Sequence, residues 1–254
     1  VHKNLVIIPT YNEKENIREI TAAVMDLSIP FDLLIIDDGS PDGTAQIVKE
    51  LQQQYGSKLH LIEREGKQGL GTAYIRGFEF ALEHEYDYVC EMDADFSHNP
   101  NDLMELYKAC AYGGADVAIG SRYIKGVNVV NWPMGRVLMS YFASIYVRLV
   151  TGIPVMDTTA GFKCYHRSVL ETIDPEKIRF IGYAFQIEMK FTAWKHGFKI
   201  TEVPIIFTDR AKGTSKMSKG IFKEAVIGVL QMKIGSLFRK YEPYQETSVS
   251  QSAA

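Results

Sequence analysis

Between Leu5 and Ile119 the chain alternates short apolar runs with segments of helical spacing, and this alternation restricts the fold more than any other feature. Leu5–Ile8, Leu33–Ile36, Leu59–Ile62, Tyr86–Met92 and Ala115–Ile119 read as strands buried on both faces. Between the first two, Ile17, Ile20, Val24 and Leu27 mark one face of a helix. Further helices are expected over 45–55, over 71–83 and after Asn99-Pro100. Asn12 is the expected cap of the first helix, with Glu15 three residues on, and Pro100 the expected first residue of the last. Strand–helix–strand repeats of this kind imply an α/β fold with a doubly wound, mostly parallel sheet. Ligands of such sheets sit beyond the carboxyl ends of the strands. Chemistry is therefore expected after Ile8, Ile36, Met92 and Ile119.

The second half is less regular. Met134–Val150 reads as an apolar helix with Met134, Val137, Leu138, Tyr141, Ile145 and Leu149 on one face. A loop Asp157–Phe162, a helix Ala184–His196, a strand Ile200–Phe207 and a helix Gly220–Phe238 follow. Pro204 suggests an edge position for that strand. The Ser/Gln/Thr/Ala-rich tail after Pro243 is expected to be disordered. A net charge of −3 gives no electrostatic footprint for nucleic acid, and none is expected as a partner. Three widely spaced cysteines form neither a zinc pattern nor a disulfide framework. The strand pattern begins within four residues of the first, so no leader is expected. The longest apolar runs, such as Val137–Val147, fall short of the roughly 18 residues a membrane span requires.

Asp93-Ala94-Asp95 is the sharpest chemical signal. At a strand end, residues i and i+2 point the same way, so two carboxylates face one spot. Like charges that close call for a cation, most simply Mg²⁺ or Mn²⁺ with oxygen ligands. An EF-hand is excluded, because His98 stands where its glycine belongs and Met104 where its final glutamate belongs. Asp37-Asp38-Gly39-Ser40-Pro41-Asp42-Gly43-Thr44 serves equally as a ribose- or base-binding acid or as an ordinary turn with a helix cap. Gly66–Thr72 is glycine-rich, but it matches neither the Walker loop nor the dinucleotide fingerprint. Arg122, Arg136, Arg210 and Lys216 are cations suited to phosphate oxygens. From Arg210 to Lys240 eight Lys and Arg face a single acid, Glu224, with apolar residues interleaved. That pattern fits an interfacial helix on a membrane surface, or a helix packed on the sheet with a solvated basic rim.

Taken in order, Val6–Glu13, Asp37–Thr44, Gly69–Tyr74, Met92–Asp95, Gly120–Tyr123, Asp157–Phe162 and Asp209-Arg210…Ser215-Lys216 resemble glycosyltransferase family 2. Within it they are similar to the branch that moves mannose to dolichyl or polyprenyl phosphate. The resemblance runs to about residue 240. It implies one GT-A domain over 1–240, with residues 1–125 as the nucleotide-sugar half and 126–240 as the acceptor and membrane-interface half. It also implies GDP-mannose binding by residues matching Pro9, Tyr11, Glu13, Ile36, Asp38, Asp93, Ala94, Asp95, Arg122, Arg210 and Lys216. The metal falls on Asp93 and Asp95. Ser97 stands where archaeal relatives carry a further ligand, glutamine.

The activity implied is inverting transfer to a lipid phosphate, with Asp95, Arg122, Arg210 and Lys216 in catalytic positions and Arg122 and Arg136 on the acceptor phosphate. A phosphate monoester is already anionic, so no general base is required. Without membrane-spanning helices the chain resembles the short animal-type subunit, held by small anchoring subunits at the cytosolic face of a membrane. The rival readings are a transferase using a UDP-glucose-type donor, a nicotinamide oxidoreductase and a non-catalytic membrane-surface module.

Overall fold

The computed structural model describes residues 2–174, 177–182, 184–209 and 220–244, with backbone alone for 220–225. Seven strands form the central sheet: β1 (Asn4–Thr10), β2 (Asp32–Asp37), β3 (Leu59–Glu63), β4 (Tyr88–Glu91), β5 (Val117–Ser121), β7 (Lys163–His166) and β8 (Ile200–Pro204). A two-residue ribbon pairs β6 (Val129–Val130) with β9 (Phe207–Thr208). The sheet order is β3-β2-β1-β4-β7-β5-β8, and β7 alone runs antiparallel to its neighbours. The chain winds outward from β1 to β3 and then crosses to β4 on the other side of β1. The switch point of the topology therefore lies between β1 and β4, where a crevice opens at the carboxyl ends.

Successive strand residues face opposite layers. Ile7, Leu34, Ile36, Val89 and Ile119 share a core with α3 (Leu70–Glu83) and α7 (Ala184–Lys195). Ile8, Leu33, Ile35, Cys90 and Met92 share the other with α1 (Ile17–Met25), α2 (Thr44–Tyr55) and α4 (Asp102–Ala111). Helix α3 lies so close to the sheet that a Cβ on Gly77 would stand 2.7 Å from Ile7 Cδ1. Pro9 sits within β1 without cost to the ladder. The Ile7 carbonyl faces β4, so Pro9 faces that side too, beyond the last β4 residue.

Several boundaries differ from the sequence reading. The cap of α1 is Asn16, whereas Asn12 turns the chain at φ 56° and donates its N–H to Ser40 Oγ. Helix α4 begins at Asp102 behind Asn101, so Pro100 is not its first residue. Strand β7 and the short α6 (Arg167–Thr172) were not foreseen. β8 is an edge strand, as expected, but it ends at Pro204, and Phe207 belongs to β9 instead. The three cysteines are free and buried.

α5 (Met134–Thr151) buries Ser144, Val147 and Thr151, while Met134, Leu138 and Leu149 of the apolar face are exposed. It packs on α8 (Gly220–Phe238), where the Tyr146 hydroxyl reaches the Val226 carbonyl at 3.0 Å. α8 in turn exposes Ile227, Leu230, Ile234, Leu237 and Phe238. No helix among the described residues is long and apolar enough to cross a membrane. The tail from 245 onward lies outside the described residues; Tyr244 before it stacks on Phe198.

Candidate active site

Asp93, Ala94 and Asp95 leave the carboxyl end of β4 at the switch point. Phe96 follows at φ 58°, a left-handed turn uncommon for a bulky residue. That turn lets the Ser97 N–H donate to Asp95 Oδ1 at 3.1 Å. The Ser97 carbonyl accepts from the Thr208 N–H, which ties the loop to β9. Ala94 packs into the core beside Met92, so the two acids flank a buried anchor. Beneath them the Tyr74 hydroxyl is held protonated, by burial first and then by the charges of Asp93, Glu91 and Asp95.

Arg122 follows β5 and is almost wholly buried. Its Nε donates to Asp157 Oδ2 at 2.7 Å and its Nη2 to Asp157 Oδ1 at 2.7 Å; its backbone N–H reaches Oδ2 at 3.0 Å. Thr159 Oγ1 accepts from the same Nη2 at 2.8 Å. Burial alone would raise the Asp157 carboxyl, but the Arg122 charge and these bonds outweigh it and hold the group below its usual value. The guanidinium lies among Tyr123, Trp132 and Phe207. Arg136, at the start of α5, stacks over Trp132 at 4.1 Å and pairs with Asp209 at 2.9 Å. Both arginines predicted for the acceptor thus meet at Trp132, each already carrying a carboxylate partner.

The residues matched to nucleotide binding gather at the ends of β1 and β2. Tyr11 lies under the Lys67 ammonium, and Glu13 accepts from Asn16 Nδ2 at the start of α1. Asp38 is buried and accepts from Arg64 Nε at 2.6 Å, while Arg64 Nη1 reaches Thr72. The ambiguous acidic segment resolves into distinct tasks. Asp37 accepts from Thr10 Oγ1 and from Ser40, Asp42 caps Thr44, and Asp38 turns to Arg64. Ile36 is wholly buried against α3, so its side chain cannot reach a ligand in the crevice. Arg210 and Lys216 lie outside the described residues.

Sequence reasoning missed Arg64, His98, Asp157 as the partner of Arg122, and the buried charges Glu91, Lys163 and Lys190. His98 stacks on Phe162 at 4.7 Å, and its Nδ1 has no partner among the described residues. Burial above all depresses its imidazole to about 4, against the pull of Asp95. A charged residue inside or beside an apolar strand, as Glu91 and Lys163 are, is the one signal that could have drawn attention to them.

The donor set suits a hard divalent cation. Asp93 and Asp95 offer carboxylate oxygens, and Ser97 Oγ beside them is buried with no partner among the described residues. No group of three His, Cys, Asp or Glu side chains converges among the described residues, so Asp93 and Asp95 are the acids available here. That suits Mg²⁺ or Mn²⁺, whose shells are commonly completed by substrate phosphates and water.

The sheet order with its single antiparallel strand and the acid pair at the switch point fit an α/β glycosyltransferase fold. The model for "Glycosyl transferase family 2" matches residues 5–174, and the chain belongs to that family. It is 44% identical over 232 residues to the polyprenol monophosphomannose synthase of Mycolicibacterium smegmatis, covering 91% of this chain and 87% of the relative. It is 43% identical over 225 residues to the undecaprenyl-phosphate mannosyltransferase of Micrococcus luteus, covering 89% and 91%. In fold it resembles glucosyl-3-phosphoglycerate synthase of Mycobacterium tuberculosis, solved with Mn²⁺ and UDP. The TM-score is 0.66 at 19% identity, over 92% of this chain and 80% of that one. It also resembles a Pyrobaculum calidifontis mannosyltransferase solved with GDP-Man and Mn²⁺, with TM-score 0.57 at 17% identity, over 95% and 66%.

Proposed function

We propose that the protein transfers mannose from GDP-mannose to the phosphate of a polyprenol or dolichol, inverting the anomeric carbon and releasing GDP. One observation carries this reading: an acid pair and a fixed arginine share the carboxyl edge of the sheet, beside helices whose apolar side chains face outward. The names of the two relatives favour mannose and a polyprenyl phosphate over other sugars and acceptors.

In this reading the nucleotide lies over the ends of β1 and β2, with Tyr11 and the Asp38–Arg64 pair beside it. Asp93 and Asp95 would hold Mg²⁺ or Mn²⁺ at the diphosphate end, with the buried Ser97 Oγ in the same loop. When bound, the ion supplies neutralisation of the charge that grows on the leaving diphosphate. Arg122 and Arg136 orient the acceptor phosphate for in-line attack. Because Asp157 fixes Arg122, it acts as a preorganised charge rather than a mobile clamp. Arg210, next after Asp209, and Lys216, seven residues after it, are assigned as further cations for the diphosphate. The acceptor oxygen is anionic near neutral pH and gives up no proton to the enzyme. His98, pushed down to about 4 by burial, is a weak base and has no proton-transfer role in this reading.

The exposed apolar side chains of α5 and α8 rest on the bilayer surface that presents the acceptor, at the cytosolic face. The deciding assay supplies labelled GDP-mannose or UDP-glucose with Mn²⁺ and a short polyprenyl phosphate. Label entering the organic phase from GDP-mannose supports the reading, and Asp95→Asn lowers it at least a hundredfold with the fold intact. Product from UDP-glucose alone would reassign the donor.

A further inference from the structure

A buried triad lies under the acid pair. Glu91 on β4 and Lys163 on β7 stand opposite each other in register, and each is 0% exposed. The Lys163 ammonium is 3.2 Å from Glu91 Oε2. Gln186, from α7, bridges them: its Nε2 donates to the same Glu91 oxygen at 2.7 Å, and its Oε1 accepts from Lys163 Nζ. The surroundings include Val89, Ile119 and Phe185, with Tyr165, whose ring lies 5.4 Å from Lys163 Nζ, and the buried Lys190 as the polar groups close by. Glu91 is two residues before Asp93, and the charge of Asp93 acts on Lys163 from above.

Stability does not account for the triad. A buried ion pair recovers little more than its own desolvation, and well-packed apolar residues of similar volume often serve as well or better. Glu91 also balances Lys163, so the pair places no net charge beneath the site. What it adds is direction. With both ends held by Gln186, the ammonium is a fixed point at the end of β4, and Asp93, two residues beyond Glu91, lies within reach of its charge. Two like charges at Asp93 and Asp95 would otherwise turn away from each other. We propose that Lys163, clamped by Glu91 and Gln186, is a positioning residue that holds the Asp93–Asp95 pair in the geometry that receives a divalent cation. This rests on the reading that the pair binds the cation.

The test titrates the protein with Mn²⁺ alone, with no sugar donor, and follows free Mn²⁺ by its paramagnetic resonance signal. Urea unfolding is run on every variant. E91L/K163M/Q186L replaces the triad with apolar side chains. It should unfold at the wild-type urea concentration yet bind Mn²⁺ 10- to 100-fold more weakly, the range over which groups behind metal ligands act. Asp95→Asn serves as the control. If it abolishes Mn²⁺ binding while the triple variant binds as wild type does, the positioning role is refuted and the metal site stands. If Asp95→Asn binds as wild type does, the cation reading itself fails. Should the triple variant not fold, Q186L alone removes only the clamp. Weaker Mn²⁺ binding in Q186L then supports the proposal, and unchanged binding overturns it.

Discussion

Asp157→Ala is the substitution whose cost the structure defines most fully. Asp157 is 0% exposed and the Arg122 side chain 7%, so neither charge has bulk water to fall back on. The substitution removes three bonds from Arg122, at 2.7, 2.7 and 3.0 Å, while its bond to Thr159 remains. Bonds to charged groups are each worth about 1.5–3 kcal/mol, and breaking one partner of a buried pair costs about 3–5 kcal/mol. At about 2–4 °C per kcal/mol for a chain of this size, the melting temperature should fall by roughly 6–20 °C. Urea unfolding followed by tryptophan fluorescence measures this directly, with Trp132 lying 5.5 Å from the Arg122 guanidinium as a local reporter. The double variant R122M/D157L removes both charges and should recover at least about 2 kcal/mol of the loss. The sign of the pH dependence follows from the lowered Asp157 group. Its contribution is complete above the unfolded value of about 3.9 and fades as pH falls below it, so the gap between wild type and Asp157→Ala closes only in acid. A loss under about 1 kcal/mol at neutral pH, or a double variant no more stable than the single one, would refute this account.

Three further outcomes are expected. His98, depressed to about 4, stays neutral in the folded protein while the unfolded chain takes up a proton near 6.5. Stability should therefore fall by up to about 3 kcal/mol as pH drops from 6.5 to 4, and His98→Phe, which keeps the stacking on Phe162, should flatten that slope in urea titrations. Gly77→Ala places a Cβ 2.7 Å from Ile7 Cδ1 and should cost about 1–3 kcal/mol; an unchanged unfolding midpoint would contradict the close seating of α3. Leu237→Ser with Phe238→Ser removes side chains that are 71% and 86% exposed. Binding to lipid vesicles should weaken several-fold with no loss of stability, and equal binding would disprove contact at the end of α8.

The parallel strands were legible because burial on both faces leaves uninterrupted apolar runs. Strand β7 was not, since Lys163-Cys164-Tyr165-His166 reads as polar until Glu91 is seen opposite Lys163. The helix caps were misplaced because Asn12, Asn16, Asn99 and Asn101 are chemically equivalent candidates, and only the turns at Asn12 and Asn101 separate them. The acid pair could be read from its spacing alone. Arg122 could be read as a cation, but its partner lies 35 residues along the chain. The apolar face of α5 was recognised as a face but not given a partner, because periodicity shows that a stripe exists and says nothing about what covers it.

The antiparallel β7 explains why these charges meet where they do. Were it parallel to β4 and β5, its entering end would lie at the amino edge of the sheet, away from the crevice. Running the other way, it brings the loop 157–162 and its own first residue to the carboxyl edge, between β4 and β5. Asp157 in that loop then meets Arg122 at the end of β5, and Lys163 at the strand's start meets Glu91 at the end of β4. The two buried ion pairs therefore join the entry of β7 to the strand on each of its sides. Each is a poor investment for stability alone. Their shared position beside Asp93 and Asp95 makes sense if the strand's reversal serves to fix charged groups around a reacting diphosphate.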